Sequence, residues 1–285
     1  MGTGPVRAPA VAGAFYASGP EALGKQVRDC FEGRLGPGAV PRVQSGPLTS
    51  LVAVVSPHAG LQYSGYAAAH SFAALAQNGT PDALVLIGPN HHGYGQRMAV
   101  ATHGSWRTPL GELEIDQGLA RELLSLCPGL ADDTIAHRAE HSLEVQLPFI
   151  QFVYGNAVRI VPITLYTIDF EDIHSLGDAV GRALAGKNVA IVASTDMTHY
   201  EAEQVAKAKD SAALNAILRL DERELVATVR KLSVTMCGLG PVVTMMVAAK
   251  RLGATRGVLN AYYSSGAITG EQDEVVGYAS VSLFR

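Results

Sequence analysis

Val52-Ala53-Val54-Val55-Ser56-Pro57-His58-Ala59-Gly60 is an apolar run that stops on a proline–histidine break, and Leu84-Val85-Leu86-Ile87-Gly88-Pro89-Asn90-His91-His92-Gly93 repeats the layout. Short continuous apolar runs bounded by Gly and Pro mark strands buried on both faces. The alanine-rich stretch between them, about 65–76, reads as a helix. Together the three segments form a βαβ unit, which implies parallel pairing and a right-handed crossover. The fold class that follows is α/β, a central mixed and largely parallel sheet flanked by helices. Both runs end in histidine, and the carboxyl ends of such strands are where α/β proteins build their sites.

Outward from this unit, further strands are expected at 158–163, 188–194, 256–264 and 275–284. Helices are expected at 20–31, 116–126, 142–153, 171–185, 201–220 and 241–252. The first of these opens with Ser18-Gly19-Pro20-Glu21, a cap followed by proline. Residues 96–116 read as extended, with an exposed turn over Trp106-Arg107-Thr108-Pro109-Leu110-Gly111. No internal repeat, low-complexity tract or linker divides the chain, so residues 1–285 are expected to form a single domain.

The composition narrows the partners. Hydrophobic residues make up 48% of the 285 and charged ones 17%, which suits a chain with much buried surface. A net charge of −4 with no lysine or arginine run argues against nucleic acid and against anionic membranes. No apolar stretch is long enough to span a bilayer. Pro9 and Gly13 break the N-terminal segment, so a signal peptide is not expected. Three cysteines, Cys30, Cys127 and Cys237, without a Cys-x-x-Cys pair, point to free thiols and a cytoplasmic setting.

The chemistry-bearing residues gather at the breaks. Five of the nine histidines, His58, His91, His92, His141 and His199, fall in or beside loops that follow strands. A single histidine in such a fold is ordinarily structural, but five at one predicted edge point to a site. Cys237 opens the apolar helix at 241–252 through Gly238-Leu239-Gly240-Pro241, and a helix N-terminus favours the thiolate. Two imidazoles and a thiolate, His58, His91 and Cys237, make a three-ligand metal set with positions left open. Asp196 and His199, in Ser194-Thr195-Asp196-Met197-Thr198-His199, suit an acid/base pair, unless Asp196 merely caps the helix that follows. His141 and Glu144 stand one helical turn apart, as pocket residues or as a surface pair.

Read in order, the motifs resemble the Memo family. They are Ala12-Gly13-Ala14-Phe15-Tyr16, Ser56-Pro57-His58-Ala59-Gly60 with Tyr63-Ser64-Gly65, Gly88-Pro89-Asn90-His91-His92, Glu140 through Pro148, Ser194 through His199, and Cys237-Gly238-Leu239-Gly240-Pro241. The resemblance covers almost the whole chain. It implies a fold similar to the class III extradiol ring-cleaving dioxygenases, with Cys237 where those enzymes place a carboxylate ligand. It also implies His58, His91 and Cys237 as ligands to iron, or to copper or zinc. His199, Asp196 and His141 become the catalytic candidates, and His92, Tyr63 and Glu144 the substrate-binding ones. Animal members carry Arg-His after Cys-Gly where this chain has Leu239-Gly240, so functions that depend on that basic pair do not carry over.

The resulting expectation is non-haem iron or copper redox chemistry, dioxygenase-like, on an unknown small molecule. A binding or regulatory module with a vestigial pocket, and a zinc-type hydrolase, are the alternatives. Monomer or homodimer is expected, with AMMECR-type and radical-SAM proteins as functional neighbours through the resemblance.

Overall fold

The computed structural model describes residues 4–167 and 169–285. Its chain begins β1 (Val6–Arg7), α1 (Pro20–Glu32), β2 (Leu51–Ser56), α2 (Leu61–Asn78) and β3 (Ala83–Pro89). Short strands follow, β4 (Met98–Val100), β5 (Ser105–Thr108) and β6 (Gly111–Glu114), then α3 (Gln117–Leu126) and β7 (Ala131–Asp132). A 3-10 turn at Glu144–Gln146 leads into α4 (Leu147–Tyr154), β8 (Arg159–Leu165), α5 (Phe170–Leu184), β9 (Val189–Ser194) and β10 (His199–Glu201). The chain closes with α6 (Glu203–Leu218), α7 (Glu222–Leu232), α8 (Leu239–Arg251), β11 (Arg256–Ser264), α9 (Gly266–Thr269) and β12 (Val275–Phe284).

Nine strands of the described residues form one mixed sheet in the order β10-β12-β2-β9-β3-β8-β4-β7, with β11 added on β12. The centre, β2-β9-β3-β8, is parallel. The antiparallel neighbours β12 and β4 extend it on either side. Every residue of β2 and β3 is buried, which is why these strands read as unbroken apolar runs rather than as alternation. Helix α2 packs on β2 and β12, α8 on β9, β3 and β2, and α5 on α8. The expected α/β class is therefore observed.

Four local readings differ from the expectation. β2 and β3 do not pair directly, because β9 takes the slot between them, with Ile191 opposite both Ala53 and Val85. Its apolar run was legible; its place in the sheet is a long-range matter. Trp106 is 2% exposed and lies in β5 rather than in an exposed turn, with the Arg7 guanidinium 4.2 Å from its ring centre. The helix expected from 201 begins at Glu203, because His199 and Glu201 instead pair with β12. Finally, α7 forms where no element was expected, although its start signal is present: the Asp221 side chain accepts from the Glu224 N–H. No helix among the described residues is long and apolar enough to cross a membrane.

For function, the sheet order matters most. Parallel β2, β9 and β3 end at one edge, so the segments that follow them bring His58, Asp196 and His91 side by side.

Candidate metal centre

Pro57 ends the β2 ladder and turns His58 inward, where it is 2% exposed. The His58 backbone N–H donates to Asp196 Oδ1 at 2.8 Å, and its ring Nδ1 lies 2.7 Å from Ser194 Oγ. The other ring nitrogen, Nε2, lies 3.2 Å from Cys237 Sγ. After β3, the His91 N–H donates to Glu140 Oε2 at 2.6 Å, and Nδ1 sits 2.9 Å from Glu140 Oε1. A carboxylate only accepts, so His91 carries its proton on Nδ1 and leaves Nε2 bare.

Cys237 arrives with the start of α8. The next residue, Gly238, runs so close to β9 that a Cβ there would meet the Ser194 carbonyl oxygen at 2.4 Å. Only glycine permits that approach. Gly238 N–H then donates to Thr195 Oγ1 at 2.9 Å, and Asp196 N–H points at Cys237 Sγ at 3.3 Å. The ligand atoms of His58, His91 and Cys237 all lie within 4.8 Å of one another. Ligands about 2.0–2.3 Å from a tetrahedral ion stand roughly 3.5 Å apart, so the donor set and its spacing fit a metal. His91, Glu140 and His141 meet the same distance test. There, however, Glu140 already accepts from the backbones of His91, His141 and Ser142 as well as from the His91 ring, which makes it an anchor.

Burial sets the charge states. It holds His58 well below the usual imidazole range, assisted by the neighbouring His141 and His91. Burial, with the Asp196 charge second, pushes the Cys237 thiol up. In ion-free protein, this desolvation works against the thiolate that the helix N-terminus favours. Burial opposes ionisation of Glu140 too, but the hydrogen bonds from the His91 ring and the Ser142 N–H hold its carboxyl below the ordinary range. His141 is pushed down to about 4, chiefly by burial. Asp196 is raised to about 6, again by burial, against the donors His58 N–H and Ala59 N–H.

A cleft of about 440 Å³ opens beside these residues. His58, His91, His141, Asp196 and His199 form its polar part, and Phe15, Tyr200, Val276 and Tyr278 its apolar walls. No lysine or arginine among the described residues lines it. The His141 ring stacks on His91 at 4.6 Å and packs against Phe15 at 4.8 Å. His199 donates from Nδ1 to the Thr235 carbonyl at 3.0 Å, which leaves its Nε2 free to take or give a proton. Asp196 does not cap the following helix, whose N-cap is Ala202.

Three residues expected to touch substrate lie outside the cleft lining. Glu144 is fully buried and bound to the N-terminal segment instead. It accepts from Arg7 Nη1 at 2.6 Å, Ala10 N–H at 2.8 Å, Val11 N–H at 3.0 Å and Tyr16 O–H at 2.6 Å. The helical spacing that paired it with His141 does not apply, because the 3-10 turn begins only at Glu144. His92 is exposed and stacks on Tyr94, while Tyr63 sits on α2 and accepts at its carbonyl from the Tyr263 hydroxyl. Conversely, Glu140, Gln146, Ser194 and Phe15 do more here than their motifs announced. The one sequence signal was Glu140, a carboxylate directly before His141.

Comparison with known proteins shows the family and the fold. A family model described as Memo-like protein matches residues 7–282. A MEMO1 family protein of Methanopyrus kandleri is 45% identical over 281 residues, covering 98% of this chain and 99% of the relative. Another, from Methanothermobacter thermautotrophicus, is 42% identical, covering 97% and 100%. Among solved structures, an uncharacterized protein of Escherichia coli K12 shares the fold with a TM-score of 0.50 at 15% identity, over 81% of this chain and 99% of that one.

Proposed function

Because this chain belongs to the Memo-like family, we propose that His58, His91 and Cys237 hold a redox-active metal ion, iron or copper, and that the protein oxidises a small molecule in a dioxygenase-like reaction. The observation that carries the reading is the convergence of two imidazoles and one thiol within 4.8 Å, at the edge where three parallel strands end. A soft sulfur beside two nitrogens suits iron, copper or zinc and disfavours magnesium and calcium. Such an ion supplies electron-transfer and Lewis-acid chemistry that no side chain here offers.

The remaining roles belong to the chain itself. His199 exchanges a proton with substrate through Nε2, its ring held by the Thr235 carbonyl. Asp196 holds the His58 backbone and presents a carboxylate to the cleft. Phe15 and Tyr278 exclude water from the inner wall. Zinc-type hydrolysis is the second reading, favoured by Asp196, whose pKa of about 6 suits a general base near neutrality.

The proposal extends to a cytoplasmic protein, monomer or homodimer, acting on no nucleic acid or membrane and working beside AMMECR-type and radical-SAM proteins. Three unpaired cysteines support the reducing compartment.

The test is metal analysis by plasma mass spectrometry on protein purified anaerobically without a tag, with His58→Ala and Cys237→Ser alongside. Near-stoichiometric iron or copper, lost in both variants, supports redox chemistry and leads to oxygen-uptake screening. Zinc lost in both moves hydrolysis first. Absence of uptake even after reconstitution refutes the centre and leaves a binding module.

A further inference from the structure

We infer that Ser56, Gln146 and Ser194, none of them a ligand, form a buried positioning relay that locks His58 as its Nδ1–H tautomer and so presents a bare Nε2 to the centre. The inference rests on the metal reading above. All three side chains are completely buried. Ser56 and Ser194 are the last residues of adjacent strands and stand opposite each other in register. Gln146 reaches them from the 3-10 turn.

Counting hydrogens decides the tautomer. The Gln146 amide nitrogen has two hydrogens, which go to the nearer acceptors, the Pro57 carbonyl at 2.9 Å and Ser194 Oγ at 3.0 Å, rather than to the Ser142 carbonyl at 3.4 Å, and its oxygen accepts from the Ser56 hydroxyl at 2.7 Å. A carbonyl cannot donate, so the amide orientation is set by Pro57. Ser194 has one hydroxyl proton, which goes to the Ser142 carbonyl at 2.8 Å. Its oxygen therefore accepts twice, from Gln146 and from His58 Nδ1 at 2.7 Å. The opposite tautomer would take the Ser194 proton for Nδ1 and leave two oxygens facing each other at 2.8 Å without a proton between them. With Nδ1 protonated, Nε2 is the lone pair that lies 3.2 Å from Cys237 Sγ, in the place a metal ligand must occupy.

Two readouts test the relay, one without metal. In long-range ¹H–¹⁵N spectra of the ion-free protein, His58 should show a protonated Nδ1 and an unprotonated Nε2. Ser194→Ala should shift it toward the Nε2–H form, and Ser194→Thr, which keeps the hydroxyl, should restore the wild-type pattern. Zn²⁺ affinity, measured by chelator competition, should fall about 10–100-fold in Ser194→Ala, as when a hydrogen-bond partner of a ligating imidazole is removed. An unchanged tautomer and unchanged Zn²⁺ affinity in Ser194→Ala overturn the relay. Wild-type protein that binds neither Zn²⁺ nor iron or copper on reconstitution, yet whose Nδ1–H signal is lost in Ser194→Ala, supports the relay and overturns the metal reading alone.

Discussion

His58 and His91 reach the same centre from surroundings that differ in charge and in water. His58 is almost fully buried, and its ring is held by hydroxyl and amide groups that carry no charge. The His91 side chain is 31% exposed, and its ring is held by the ionised, buried Glu140. Four residues on, Glu144 fastens the N-terminal segment. The His58 ring is thus set by neutral groups at the register of buried strands, with the Asp196 carboxylate on its backbone N–H, and the His91 ring by Glu140, one of two carboxylates on a single connecting segment. Neutral partners cost little to bury, whereas a buried carboxylate is tolerable only when its acceptor sites are filled. The carboxylate flank should therefore fail more severely, and less gracefully, when one partner is removed.

The largest effect should come from Glu144→Ala, which leaves the largely buried Arg7 guanidinium without its carboxylate. A loss of about 3–5 kcal/mol in denaturant unfolding is expected. A loss under about 1 kcal/mol would show that the N-terminal segment does not depend on this anchor.

Glu140→Gln comes next, with metal affinity about 10–100-fold weaker through a misoriented His91. It also carries a pH signature. Glu140 is held below its ordinary value of 4.5, so its stabilisation is complete above that value and drains away as the pH falls below it. Wild-type protein should therefore lose more stability than Glu140→Gln between about pH 5 and pH 3. Parallel acid curves would mean that the carboxylate is not ionised in the fold.

On the His58 flank the sensitive proton belongs to Cys237, whose thiol is pushed up by burial. Metal must displace that proton, so apparent affinity should rise about tenfold per pH unit across neutrality. Calorimetry in buffers of different ionisation enthalpy should count close to one proton released per ion. No release would mean that the thiol is not a ligand. Smallest of all is Tyr200→Gly at the cleft rim. Tyr200 holds φ at 56°, in the left-handed region, and is 72% exposed. Relieving that backbone should change stability by about 1 kcal/mol or less, with metal affinity unmoved.

Much of this molecule was legible in its residues, because the signals involved are local. An unbroken Val/Leu/Ile run closed by Pro-His states both the strand and where its last side chain emerges, and it does so at β2 and β3 alike. Cys237, just ahead of the α8 N-cap Gly238, is local in the same sense. The carboxylates were less legible, since Glu140 and Glu144 look alike on the page. One turns to His91 and the other to Arg7, a residue 137 positions away.

What the sequence determined by itself was the α/β class, the buried parallel strands and the chemical kinds gathered at their ends, all consequences of period and punctuation within short windows. Only the tertiary structure decided that β9 separates β2 from β3, that Ser194 therefore stands beside Ser56 and His58, and that burial pushes the Cys237 thiol up. Strand order, hydrogen-bond partners and desolvation depend on which distant segments exclude water from one another, and no local window of residues carries that information.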